Sequence, residues 1–80
     1  MKNQFKIRIG SVNDAALFVK KCSEFEENID YIKGRYVIDA KSLMGVLSVD
    51  LSDFGEVKIY TDREDSINKF KEEMTLWMEE

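Results

Sequence analysis

From Ile29 to Ala40 the chain alternates. Ile29 and Tyr31 fall on one side of Asp30, and past Lys33-Gly34 the residues Tyr36, Ile38 and Ala40 alternate with Arg35, Val37 and Asp39. Two period-two runs on either side of so short a break predict a hairpin, with Gly34 free to take the positive φ that tight hairpin turns require. A hairpin commits the chain to a sheet, and a sheet needs cover on at least one face. Two further stretches can extend it. Gln4 to Ile9 sets Phe5, Ile7 and Ile9 against Lys6 and Arg8 before Gly10 ends the run, and Val57, Ile59 and Thr61 alternate with Glu56, Lys58 and Tyr60. Ile32 and Val37 fall on the face opposite Tyr31 and Ile38. With helices on one side only they are expected to be partly exposed, and Tyr31 and Tyr36 half-buried.

The cover comes from helices between these strands. Ser11-Val12-Asn13-Asp14 has the Ser-x-x-acid form of a helix start, and Val12, Ala15, Ala16, Phe18, Val19, Cys22 and Phe25 then recur at three and four. This predicts a helix from Val12 to Glu26, with Lys20, Lys21, Glu24 and Glu27 on its solvated side. A short helix follows Ser42 and ends near Val49. Asp50 to Gly55 reads as a polar loop with Leu51 and Phe54 as apolar anchors. Asp62 is placed to cap a last helix whose first turn is acidic and whose buried stripe is Ile67, Phe70, Met74 and Trp77, leaving Glu79-Glu80 as a frayed tail. The order is βαββαβα: an α+β open-faced sandwich with a four-stranded antiparallel sheet covered on one face by three helices. A chain of 80 residues makes one domain, residues 1–80, and is too short to cover both faces.

Composition removes whole classes of function. The formal charge of −4 does not suit direct binding to a nucleic-acid backbone, and no apolar run approaches the roughly 18 residues of a membrane span. The first residues alternate rather than forming a signal-peptide core, so the expected location is the cytoplasm. The lone Cys22 has no metal-site companions and reads as a core residue. There is no histidine, hence none of the commonest general base, metal ligand or phosphoryl carrier. Nothing points to a metal, a cofactor or catalytic residues: the carboxylates are scattered over solvated faces, no glycine-rich phosphate loop exists, and Ser11 has no base to activate it.

One stretch carries more apolar surface than a single buried stripe needs. In Lys41-Ser42-Leu43-Met44-Gly45-Val46-Leu47-Ser48, a helix that buries Val46 and Val49 leaves Leu43, Met44 and Leu47 on its other side, a candidate docking patch. Ser42 is a natural N-cap, and the same free N–H groups and helix dipole would stabilise a phosphate on its oxygen. The same residues also fit a capped core helix with a few exposed apolar side chains.

In this element order, Ala40 to Ser48 resembles the regulatory-serine segment of HPr, the small phosphocarrier of the bacterial sugar phosphotransferase system. Asp14 to Val19 is similar to the start of that family's first helix, Gly34 falls in its hairpin, and Gly55 to Ile59 is similar to its last strand. In the family, a Gly-x-His-x-Arg-Pro stretch opens the first helix. Its histidine takes phosphate from enzyme I and passes it to sugar-transporter subunits. On the resemblance, Ser11 stands at the histidine, Asn13 at the arginine and Asp14 at the proline. A serine without a base is a poor acceptor and a carboxylate repels phosphate, so the family's phosphocarrier activity is not expected.

What the resemblance still implies is regulation. HPr kinase/phosphorylase phosphorylates the family serine, and the product binds a catabolite control transcription factor. The histidine-free paralogue known as catabolite repression HPr has only this role. The resemblance puts phosphorylation at Ser42 and partner binding at Lys41, Leu43, Met44 and Leu47, with Asn13 and Ala16 on the first helix. The protein is expected to be a monomer or weak dimer. The alternative is a degenerate HPr homologue serving as an unmodified protein-interaction domain, through the same patch or through the open sheet face with Ile32, Val37 and Tyr60.

Overall fold

The computed structural model describes residues 2–78. Four strands, β1 (Gln4–Ile7), β2 (Ile29–Lys33), β3 (Tyr36–Asp39) and β4 (Gly55–Ile59), form one antiparallel sheet in the order β1-β4-β2-β3. Helices α1 (Val12–Ser23), α2 (Leu43–Leu47) and α3 (Glu64–Met74) cover one face. The βαββαβα open-faced sandwich expected from the periodicities is the observed architecture. The hairpin is set by Gly34, at φ 60° with Arg35 at negative φ, the pattern of a type II′ turn.

The core lies between sheet and helices. Ile7, Ile29, Tyr31, Val57 and Ile59 from the sheet meet Ala15, Phe18 and Cys22 of α1, Val46 of α2, and Ile67, Phe70 and Met74 of α3. Phe18 packs edge-on against both Tyr31 and Trp77, at ring separations of 5.9 and 5.7 Å. Tyr31, expected half-buried, is fully buried. The neighbouring strand makes room for it: a Cβ at Gly55 would stand 2.6 Å from the Tyr31 oxygen, so only glycine lets the ring lie there. Tyr36 departs in the other direction and is exposed, because β3 is an edge strand with no helix over that position.

Several boundaries also move. β1 stops at Ile7, because the Arg8 amide donates to the Trp77 carbonyl and Gly10 turns at φ 89°, although Ile9 stays buried. α1 ends at Ser23, where the Glu24 and Phe25 amides tighten onto the Lys21 and Cys22 carbonyls. Val12 sits in the first turn of α1 and is 65% exposed, outside the core stripe. Ala16 is exposed as well. α2 ends at Leu47, where Ser48 donates through its amide and hydroxyl to the Gly45 carbonyl; Val49 packs on the core from beyond the helix. β4 ends at Ile59 rather than Thr61. Arg63, not Asp62, occupies the cap position of α3 and makes no side-chain cap bond. Trp77 belongs to a 3-10 turn, Thr75–Trp77, rather than to α3 itself. The Glu79-Glu80 tail lies outside the described residues.

The other sheet face is open. Ile32 is half-buried there and Val37 exposed. Phe54 is flanked by Lys6 and Arg8, their cationic groups 4.6 and 5.0 Å from its ring centre.

Candidate functional site

α2 exists because of what stands at its two ends. Ser42 has extended backbone angles and its oxygen accepts from the Gly45 amide at 3.2 Å, while its carbonyl accepts from Val46. This is the capping geometry expected of a serine at that position. The segment is held from the other side by Asp39, whose carboxylate accepts from the Lys41 amide at 2.9 Å and whose carbonyl accepts from the Ser42 amide. Val46 is the anchor, fully buried, which stabilises the docked helix by about 1.5–3 kcal/mol. Gly45 permits the close approach to β3, since a Cβ there would meet the Ile38 methyl at 2.9 Å.

The outward side is apolar. Leu43 and Leu47 are each about two-fifths exposed and Met44 is 85% exposed. Ser42 is half-buried beside them. Five helical residues, Leu43–Leu47, make a weaker dipole than the longer helix to about Val49 expected from the sequence. A negative group on Ser42 would therefore be stabilised mainly by the Leu43 and Met44 amides, which precede any intrahelical acceptor. Lys41 is engaged elsewhere: its ammonium donates to the Phe25 carbonyl at 2.6 Å, closing off the C-terminal end of α1. Sequence reasoning missed this tie, because an i to i+16 contact leaves no local signature. Lys41 also opposes the effect of burial on Cys22, yet burial wins and pushes the thiol up to about 12. Cys22 is thus an inert core residue.

The start of α1 has a second capped serine of different character. Ser11 accepts from the Asp14 amide at 3.1 Å and donates its own proton to the Asp14 carboxylate at 2.9 Å. The carboxylate therefore occupies the space in front of the helix where an anion would have to bind. Asn13 and Ala16 are exposed on α1, which packs against α2; among the described residues, neither forms a hydrogen bond with the Ser42 segment.

The family model for the PTS HPr component phosphorylation site matches residues 11–75. The chain belongs to the HPr family. HPr-C-His from Thermoanaerobacter tengcongensis is similar over 82% of each chain, at 29% identity and a TM-score of 0.67. Phosphocarrier protein HPr from Bacillus anthracis matches over 94% of this chain and 95% of its own, at 18% identity and a TM-score of 0.71. The Bacillus subtilis catabolite repression protein Crh, described as an intertwined dimer with a swapped domain, matches over 92% of this chain and 88% of its own, at 21% identity and a TM-score of 0.64. At these identities the last two speak for the fold alone. A search of curated proteins gives no significant match.

Membership of the HPr family ties the chain to the phosphotransferase system. Proteins of this family are not enzymes. Among the described residues no group of three or more side chains is placed to hold a metal, and no helix is long and apolar enough to cross a membrane. A chain with no histidine cannot form the phosphohistidine of a phosphocarrier.

Proposed function

We propose that this HPr-family protein is a regulator switched by phosphorylation at Ser42, the hydroxyl being the substrate of HPr kinase/phosphorylase and the α2 patch the surface read by a catabolite control transcription factor. The observation that carries this reading is the half-buried Ser42 hydroxyl at the head of α2, beside exposed Leu43, Met44 and Leu47. Membership of the HPr family and the absence of any histidine support it further.

Phosphorylation adds about −1.5 to −2 charges at a site where free amides face the oxygen, so the fold should change little. What changes is the surface, which gains a dianion next to an apolar patch. A partner with an arginine beside a hydrophobic groove would distinguish the two forms. One charge-assisted contact is worth about 1.5–3 kcal/mol, or roughly ten- to a hundredfold in affinity. In this reading Leu43, Met44 and Leu47 make the apolar contact, Asn13 and Ala16 extend the surface along α1, and Lys41 acts by fixing the segment through Phe25.

Intact-mass spectrometry after incubation with HPr kinase/phosphorylase and ATP tests the proposal. Wild type and Ser11→Ala are expected to gain a single phosphate, and Ser42→Ala none. If an authentic HPr is phosphorylated in the same tube and this chain is not, the switch is refuted, and the unmodified interaction domain remains.

A further inference from the structure

The two edges of the sheet are treated differently by the fold. On β1, Ile7 forms a bridge with Met78 and the Arg8 amide donates to Trp77, so the C-terminal segment covers part of that edge. β3 has no such cover along its middle. Its inner side is taken up by β2, in the register Lys33 to Tyr36, Tyr31 to Ile38, with the Ala40 amide donating to Ile29 beyond. A two-residue turn makes Lys33 and Tyr36 a hydrogen-bonded pair, and every second pair after it repeats the pattern. The amides of Val37 and Asp39 and the carbonyl of Val37 therefore point outward. Asp39 shows this directly, since its carbonyl accepts from Ser42 outside the sheet. Val37 is 63% exposed, and β3 carries no proline, lysine or bulge of the kind that protects an edge.

The edge is also complementary to itself. If a second copy of Arg35-Tyr36-Val37-Ile38-Asp39 is laid antiparallel on the first with Val37 opposite Val37, Arg35 stands opposite Asp39 in both directions and Tyr36 stands opposite Ile38. Arg35 has no hydrogen-bond or ion-pair partner among the described residues, and Asp39 uses only one carboxylate oxygen, on the Lys41 amide. The charges needed for this pairing are available without breaking anything.

We propose that the outer edge of β3 is a self-association surface, on which a second copy adds its own β3 antiparallel about a two-fold axis at Val37. The two Val37 residues exchange N–H to C=O bonds, the Asp39 amide donates to Arg35 of the second copy, and the two sheets become continuous. Contact is limited to one strand, so the dimer is weak and depends on concentration.

Sedimentation velocity from about 10 μM to about 1 mM tests this. Wild type is expected to shift from monomer to dimer across that range. Val37→Pro removes the outward amide without touching the β2 ladder and is expected to raise the dissociation constant at least about tenfold. Arg35→Asp, in the exposed turn, and Asp39→Arg are each expected to be monomeric alone. Mixed in equal amounts they should form a heterodimer, because every 35–39 pair then joins opposite charges. Thermal melting establishes that each variant is folded. A wild type that stays monomeric throughout, a dimer that Val37→Pro leaves intact (as exchange of a segment or pairing through α2 would give), or a mixture that stays monomeric would overturn the proposal.

Discussion

Replacing Gly45 by alanine sets two effects of known sign against each other. Inside a helix, alanine is better than glycine by about 0.8–1 kcal/mol. Propensity alone therefore predicts that Gly45→Ala raises the melting temperature. The structure predicts the reverse. The new Cβ would stand 2.9 Å from Ile38 Cγ2 and 3.3 Å from Ser42 Oγ, the cap oxygen itself. The Ile38 methyl belongs to a β-branched side chain with little freedom to swing away, and Ser42 is fixed by its bond to the Gly45 amide. Overpacking of this kind costs about 1–3 kcal/mol, so the net loss is about 1 kcal/mol, or about 4–8 °C for a domain of this size. Urea and thermal denaturation followed by circular dichroism would measure it. The same change in an Ile38→Ala background removes the clashing methyl and should be neutral or stabilising. The sign reversal isolates the contact as a coupling of about 1–2 kcal/mol. A wild-type background in which Gly45→Ala raises the melting temperature by several degrees would refute the reasoning, and with it the claim that glycine sets how closely α2 approaches β3.

Tyr31→Phe removes a fully buried hydroxyl that has no hydrogen-bond partner among the described residues; stability should hold or rise by about 1 kcal/mol in urea denaturation, and a loss of that size would disprove the reading. Ser42→Ala should cost about 1 kcal/mol through loss of the α2 cap, seen as a melting temperature lower by about 4–8 °C, without loss of the fold. Cys22, with its thiol pushed up to about 12, should resist a thiol reagent at pH 8 in the native protein and react at once in denaturant. The hydroxyl and amide of Ser52 hold the Asp50 carboxyl below the usual range, so its contribution to stability is complete above that range and lost as pH falls through the lowered value. Asp50→Asn should accordingly flatten the acid limb of a stability–pH curve below about pH 4.

Features governed by neighbours in sequence were legible from the sequence. The β2–β3 hairpin followed from alternation around Gly34, and the caps at Ser11 and Ser42 from a hydroxyl three residues ahead of the amide that donates to it. Features set by distant residues were not. Tyr31 is buried because Gly55, on another strand, leaves space for its ring, and no pattern within β2 carries that information. The tie from Lys41 to the Phe25 carbonyl joins positions 16 residues apart, and the early end of β1 depends on the Trp77 carbonyl. Asp62 was the cap expected from its residue type, yet Arg63 takes the position without a side-chain bond. At the candidate site, the exposed triad Leu43, Met44 and Leu47 was readable, whereas the shortness of α2 was not, because the Ser48 hydroxyl competes for the same carbonyl that would continue the helix.

The two capped serines explain why losing the histidine need not disturb either the fold or a switch at α2. Each hydroxyl accepts from the amide three residues on, so each start of a helix is satisfied without an imidazole. They differ in what lies in front of the oxygen. At Ser11 it is the Asp14 carboxylate, 2.9 Å away, and two unit charges about 4 Å apart near a protein surface repel by about 4 kcal/mol, with more for a dianion. A phosphoryl group there would have to displace the group that stabilises the helix. At Ser42 the side-chain oxygen meets only a backbone amide, and the nearby Asp39 carboxylate is turned to the Lys41 amide. Ser11, which the resemblance sets at the family's phosphohistidine, is thus a self-contained cap, while the Ser42 oxygen, where we propose that a phosphate is added, has no carboxylate bonded to it among the described residues. Selection for a phosphocarrier would not put a carboxylate at Asp14; selection for a stable scaffold bearing one switchable hydroxyl would tolerate it.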